Sequence, residues 1–242
     1  MPLEAHALAQ IGAALFPEGV QVLAEGELRQ PLGSSSHVLL KDSHVSLLLH
    51  AEMTPSFPRG GPVLHIEPVA FWDVTFRAFG TYYFGAFSSI IPLEDPATTK
   101  TPGDRQAGAG LRLDAETRLK AKVGPIIAVV EAGVRHHQVW SELEWFWEPS
   151  EMLTIPREGL VIRRSAILLL EPREEPPVRI GFLGNWDSCP ATDDENVRLG
   201  PLLMWKPTPK TPTLYAGTQA WLVSRFADPF PPYVFLAAAW EA

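Results

Sequence analysis

The residues of this 242-residue chain that could do chemistry are seven histidines and a dense alternation of acids and bases. His50 and His65 each stand two residues before a glutamate, Glu52 and Glu67. If their segments are neighbours, the four side chains make a His/Glu set of the kind that can hold zinc. His136 and His137 are adjacent in an extended segment, so they point to opposite faces and cannot chelate one ion together. Asp193 and Asp194, with Asp187, Glu195 and Asn196 nearby, are a candidate calcium cluster, without the spacing or the turn glycine of an EF-hand loop. Ser165, His137 and Glu131 could share one face as a serine, a base and an orienting acid, though no G-x-S-x-G elbow surrounds the serine. None of these spacings is sharp enough to assign an enzyme, a metal or a cofactor. Histidines hydrogen-bonded within an ionic face and a solvated acidic loop are the simpler expectations, and no cofactor is expected.

The larger constellation is ionic. Residues 111–123 read Leu-Arg-Leu-Asp-Ala-Glu-Thr-Arg-Leu-Lys-Ala-Lys-Val, with apolar residues on one face and Arg112, Asp114, Glu116, Arg118, Lys120 and Lys122 on the other. That is the period of a β-strand. After Gly124-Pro125 the alternation resumes, with Ile126, Ala128, Val130, Ala132 and Val134 on one side and Glu131 and Arg135 on the other. Similar runs place Glu25, Glu27, Arg29, Glu52, Arg77, Arg163, Arg179, Arg198 and Arg225 on polar faces. About twelve strands are expected, roughly 5–16, 19–29, 43–54, 62–68, 72–84, 108–123, 125–139, 159–171, 177–187, 196–206, 212–225 and 232–241, in one domain spanning 1–242. A turn near 69–71 divides 62–84, because 23 residues at ~3.3 Å each would run to ~76 Å, far beyond what a bilayer needs.

Composition narrows the function class. A net charge of −8 opposes nucleic-acid binding. One cysteine, Cys189, excludes an internal disulfide and a multi-cysteine zinc site. No run of 18 apolar residues is present to make a spanning helix. The start Met-Pro-Leu-Glu-Ala-His lacks the regions of a signal peptide, so an exported protein is expected here in its mature form.

Alternation alone does not say whether the apolar face meets lipid or a soluble core. Three features favour lipid. Glycines (Gly133, Gly181, Gly200, Gly217) fall at mid-strand on the polar face, where a crowded lumen needs space. Aromatics gather toward strand ends and loop bases (Trp72, Tyr82, Phe84, Trp145, Phe146, Trp147, Trp186, Trp205, Phe226, Phe230, Tyr233, Trp240), as in interfacial belts. Closure also removes the edges that an open sheet of this many strands would have to protect. The expected fold is therefore all-β, a closed antiparallel up-and-down transmembrane β-barrel.

With its amphipathic strands, the turn-like Glu67-Pro68-Val69-Ala70-Phe71-Trp72-Asp73, the Trp205-Lys206-Pro207-Thr208-Pro209 turn and the final run Tyr233 to Trp240, the chain resembles uncharacterised outer-membrane β-barrel proteins of Gram-negative bacteria. The resemblance implies a bacterial outer-membrane location and a lipid bilayer and lipopolysaccharide as surroundings. It transfers no catalytic residue. The expectation is a monomer whose lumen is filled by ion pairs, acting as a narrow channel or as a structural or surface membrane protein. A lipid- or lipopolysaccharide-modifying hydrolase and a soluble barrel around an apolar ligand are the alternatives.

Overall fold

In a computed structural model of the chain, the described residues are 3–14, 19–33, 37–40, 42–87, 89–97, 105–141, 144–148, 151–173, 178–208, 211–224 and 232–241. The strands are β1 (Glu4–Ala14), β2 (Gly19–Pro31), β3 (His44–Met53), β4 (Pro58–Val69), β5 (Trp72–Phe84), β6 (Ile91–Leu93), β7 (Ala107–Val123), β8 (Ile126–Trp140), β9 (Trp145–Glu148), β10 (Leu153–Pro156), β11 (Glu158–Arg173), β12 (Val178–Cys189), β13 (Asp194–Trp205), β14 (Thr213–Ser224) and β15 (Tyr233–Glu241). Twelve of them close into an antiparallel barrel in the order β1-β2-β3-β4-β5-β7-β8-β11-β12-β13-β14-β15, with β15 returning to β1. The remaining three form a small sheet, β6-β9-β10.

The barrel is inside-out relative to a soluble protein. Along β8, Val130 and Val134 are about half exposed (53% and 47%) while Arg135, between two outward residues, is 1% exposed. The same inversion recurs in β5, where Phe76 and Tyr82 face outward and Asp73 is buried. A closed barrel with an apolar exterior and charged interior satisfies its backbone internally and offers hydrocarbon a matching surface, which is the physical requirement for crossing a bilayer with strands. Trp72 and Tyr82 bound this surface on β5. The ten residue steps from one to the other span about 33 Å of strand. A tilt of about 40° reduces that to roughly 25 Å of height, the thickness of the apolar band of such barrels.

The turn expected near 69–71 is Ala70-Phe71, and Gly124, at φ +57°, makes the β7–β8 turn with Pro125. These tight turns lie on one rim, hereafter the turn rim; the long 85–106 and 141–157 connections lie on the other, the loop rim. The N-terminal third departs from this asymmetry, since 32–43 returns on the turn rim and the short 54–57 on the loop rim.

Of the observations that favoured lipid, one has a different physical basis and one holds for part of its residues. The inward glycines are required by neighbouring backbone, not by the width of the lumen: a Cβ on Gly181 would overlap the carbonyl of Leu168, and one on Gly200 that of Thr218. The belt of aromatics is real at Trp72, Tyr82, Phe84, Trp186, Trp205 and Trp240, all outward and exposed. Phe146 and Trp147 are instead buried in the small sheet with Trp145 packed against them, and Phe226 and Phe230 lie outside the described residues.

Candidate functional site

The site is the lumen and the structure that closes it. The small sheet is built from the two long connections of the loop rim: β6 comes from the first, and β9 and β10 from the second. Its residues are mostly apolar, with Glu148 and Thr154 as buried polar members, and Phe146 and Leu153 of its strands, like the adjoining Ile90 and Met152, have no exposed surface at all. Ile90, Phe146, Leu153 and Ile155 pack with Phe57, Tyr83, Val139, Val161 and Cys189 into one apolar cluster, and Ile91, Leu93, Trp147 and Met152 make a second. Each fully buried side chain of this size contributes about 1.5–3 kcal/mol, so the sheet is a packed cap over the mouth.

The cap is also tied to the wall by polar groups. Asp194 accepts a hydrogen bond from the Thr154 backbone N–H at 2.7 Å, Thr192 Oγ1 donates to the Thr154 carbonyl at 2.8 Å, and Asn196 Nδ2 donates to the Glu151 carbonyl at 3.0 Å. Glu151 itself, 5% exposed, is ion-paired to Arg135 and lies 3.8 Å from Arg163. Asp114 completes the cluster, with Arg112 at 2.7 Å and Arg135 at 2.9 Å. Asp187 accepts from Arg163 and Arg198, each at 3.4 Å. Together these groups cross the lumen immediately beneath the cap.

Toward the turn rim a second tier follows. Asp73 takes Arg118 at 2.9 Å and Lys120 at 3.1 Å; Glu67 also takes Lys120, at 2.9 Å; Glu131 lies 3.8 Å from Arg118. Arg77 meets Glu116 at 3.5 Å, Glu171 binds Lys122 and Arg179, and Glu27 binds Arg29 and Ser46. Back toward the loop rim, His50 stands between Glu25 (2.7 Å) and Glu52 (3.6 Å), and Glu52 also faces Arg59. Every member of the ionic set named from the sequence therefore projects into the lumen except Arg225, which lies outside the described residues. Missed from that set were the acids Glu67, Asp73, Glu151, Glu171 and Asp187 and the base Arg59. Asp73 and Arg59 share the inward parity of Arg77 and His65 on their strands, so alternation could have found them. Glu151 sits in a connection with no alternation to follow.

The other candidates fall in different places. Ser165 Oγ donates to Glu131 at 2.7 Å, but His137 lies six residues beyond Glu131, in register with Arg112 and Gly159, so the three do not converge. His50 and His65 are likewise separated, His50 opposite Gly61 and His65 opposite Ser46. His44, opposite Glu67, stacks on His65 in its place, with ring centroids 5.4 Å apart. Asp194 is consumed by the cap, and Asp193 is exposed at the β12–β13 turn with φ 51°.

Two polar cavities lie on the lumen side of the wall among the described residues. A cavity of about 50 Å³ lies among Glu116, Glu131, Arg163, Ser165 and Asp187 at mid-barrel, and one of about 420 Å³ opens by His6, Glu25, Glu27 and Arg29 near the turn rim. The arrangement can hold and exchange small ions between fixed charges, beneath the cap and the first ionic tier.

No family model and no curated protein matches the chain. Among solved structures, the chain is similar to the beta domain of the Bordetella autotransporter Brka, at 11% identity and a TM-score of 0.49, over 99% of this chain and 98% of that one. It is similar to a loop-deletion form of OmpT, an outer membrane protein of Vibrio cholerae, at 7% identity and 0.43, over 100% and 99%. The translocator domain of the autotransporter NalP from Neisseria meningitidis aligns at 9% identity and 0.40, over 100% and 87%.

Proposed function

We propose that the protein is a monomeric barrel of the bacterial outer membrane that acts as a narrow channel, held closed at its outer mouth in the resting form. The observation that carries this reading is Glu151, a cap residue inserted between Arg135 and Arg163 of the wall. An ion entering from the loop rim has to displace the cap and then exchange places with the charges beneath it. The apolar exterior and the closed hydrogen-bonded wall support the membrane setting. Arg164, facing outward and stacked 4.4 Å over Trp186 at the exterior, supports contact with the phosphates of lipopolysaccharide, because a snorkelling arginine in an aromatic belt reaches the headgroups.

Planar-bilayer recordings test the proposal. The unmodified protein is expected to show little or no steady conductance. Replacing Arg112, Glu131, Arg135 and Arg179 by serine, together with Glu151→Ser, removes the latch and thins both tiers, and is expected to open measurable current. Large stable channels in the unmodified protein would refute the closed state, and silence in both forms would refute the channel and leave a structural role.

A further inference from the structure

We propose that His44, His65 and Glu67 form a binding site for a divalent transition metal of the zinc class, on the lumen wall near the turn rim. The site is independent of whether the lumen conducts. His44 and Glu67 are directly opposed across β3 and β4, and His65 precedes Glu67 by two residues, so all three share the inward face. One ring nitrogen of each histidine and a carboxylate oxygen lie within 4.8 Å of one another.

What distinguishes these histidines is how their second nitrogens are held. His44 Nδ1 is 2.8 Å from the Asp42 carbonyl oxygen. A carbonyl only accepts, so Nδ1 carries the proton and Nε2 of the neutral ring presents a lone pair. His65 Nδ1 is 3.1 Å from Thr75 Oγ1, and its Nε2 faces Glu67 at 3.9 Å. An imidazole tied through one nitrogen to a backbone carbonyl or hydroxyl, with the other aimed at a carboxylate, is the arrangement that orients ligands for a metal. His50 provides the contrast: both of its nitrogens face carboxylates, Glu25 and Glu52, and neither is free.

Two histidines and one carboxylate are the three protein ligands of a zinc site that keeps its fourth position for an exchangeable ligand. At metal–ligand bonds of about 2.0–2.1 Å the donor atoms of a tetrahedral site sit about 3.3 Å apart, so the three must close by at most about 1.5 Å. Lys120 stands on Glu67 at 2.9 Å and neutralises it in the metal-free protein; with Asp73 at 3.1 Å it has a second carboxylate to keep when Glu67 turns to the cation.

The test uses untagged protein folded in detergent micelles, with Co²⁺ as the absorbing probe and Zn²⁺ as its calorimetric competitor. One metal per chain is expected. H44Q, H65Q and E67Q should each weaken binding at least tenfold, and T75V, which removes only the oxygen that holds His65, by about tenfold. H50Q and H137Q should bind as the unmodified protein does. Each variant is first shown to be folded by its heat-modifiable gel migration, and T75V keeps the test alive should a ligand variant not fold. Absence of stoichiometric binding, unchanged affinity in T75V, or equal losses in H50Q and H65Q would overturn the assignment.

Discussion

Arg135 is the residue whose removal says most about the interior. It is 1% exposed, donates to Asp114 at 2.9 Å and is paired with Glu151 of the cap. In Arg135→Met, Asp114 keeps the two-pronged contact of Arg112, at 2.7 and 2.9 Å, and stays neutralised. Glu151 does not fare as well, because Arg163 at 3.8 Å is its remaining cation among these groups. Stripping one partner from a buried pair costs about 3–5 kcal/mol. With half of the cluster intact, the lower end applies: about 3 kcal/mol, or roughly a hundredfold in the folding equilibrium. Arg77→Met is the comparison, since Arg77 is a quarter exposed and meets Glu116 at 3.5 Å; its loss should cost under ~1 kcal/mol. Urea unfolding of the barrel in lipid vesicles, followed by gel migration, measures both. Adding Glu151→Gln to Arg135→Met removes the orphaned charge and should restore about 1–3 kcal/mol. Equal costs for Arg135→Met and Arg77→Met would refute the reasoning, because water beneath the cap would then be screening both alike.

Three further outcomes follow from the same geometry. Phe76 faces outward between the Trp72 and Tyr82 levels, so Phe76→Arg should destabilise the barrel in vesicles by about 2–4 kcal/mol, and a loss below ~1 would place that level outside the hydrocarbon. Gly200→Ala drives a Cβ into the Thr218 carbonyl and should cost about 1–3 kcal/mol, whereas outward Gly26→Ala meets nothing within 4 Å and should stay within about 0.5 kcal/mol of the unmodified protein; equal unfolding midpoints would contradict this. Cys189, the single thiol of the chain, is fully buried in the cap's apolar cluster, so a charged maleimide should label it slowly in the folded protein and at least tenfold faster in Glu151→Ser; equal rates would show that Glu151 does not hold the cap down.

The strands were legible because one face of each meets a different medium from the other, so the period-two pattern is written in full over 9 to 17 residues. The lumen set followed from the same parity. The pairings inside it did not, since they depend on register: Glu131 meets Arg118 and Ser165, and Arg135 meets Asp114, only because β7, β8 and β11 align as they do. His44 is the sharpest case. It is 21 residues from His65 in sequence, and nothing but the His44–Glu67 opposition brings it there. The cap was illegible for another reason. Its strands are three or four residues long and buried on both faces, so they carry no alternation, and Trp145-Phe146-Trp147 has the composition of an interfacial belt.

The origin of the cap in the chain bears on how the protein enters its membrane. β6, β9 and β10 are borne by connections among β5, β7, β8 and β11, four strands that are consecutive around the wall and far from the β1–β15 seam. Their pairings bridge shorter stretches of chain than a seam that joins its opposite ends, and shorter loops close at lower entropic cost. The seam itself is short, with Leu8 to Ala14 set against Glu241 to Phe235. A stopper carried by the middle of the chain needs no closed seam for its own strand pairings. If the seam closes last, the barrel encloses water only after one end is already stoppered.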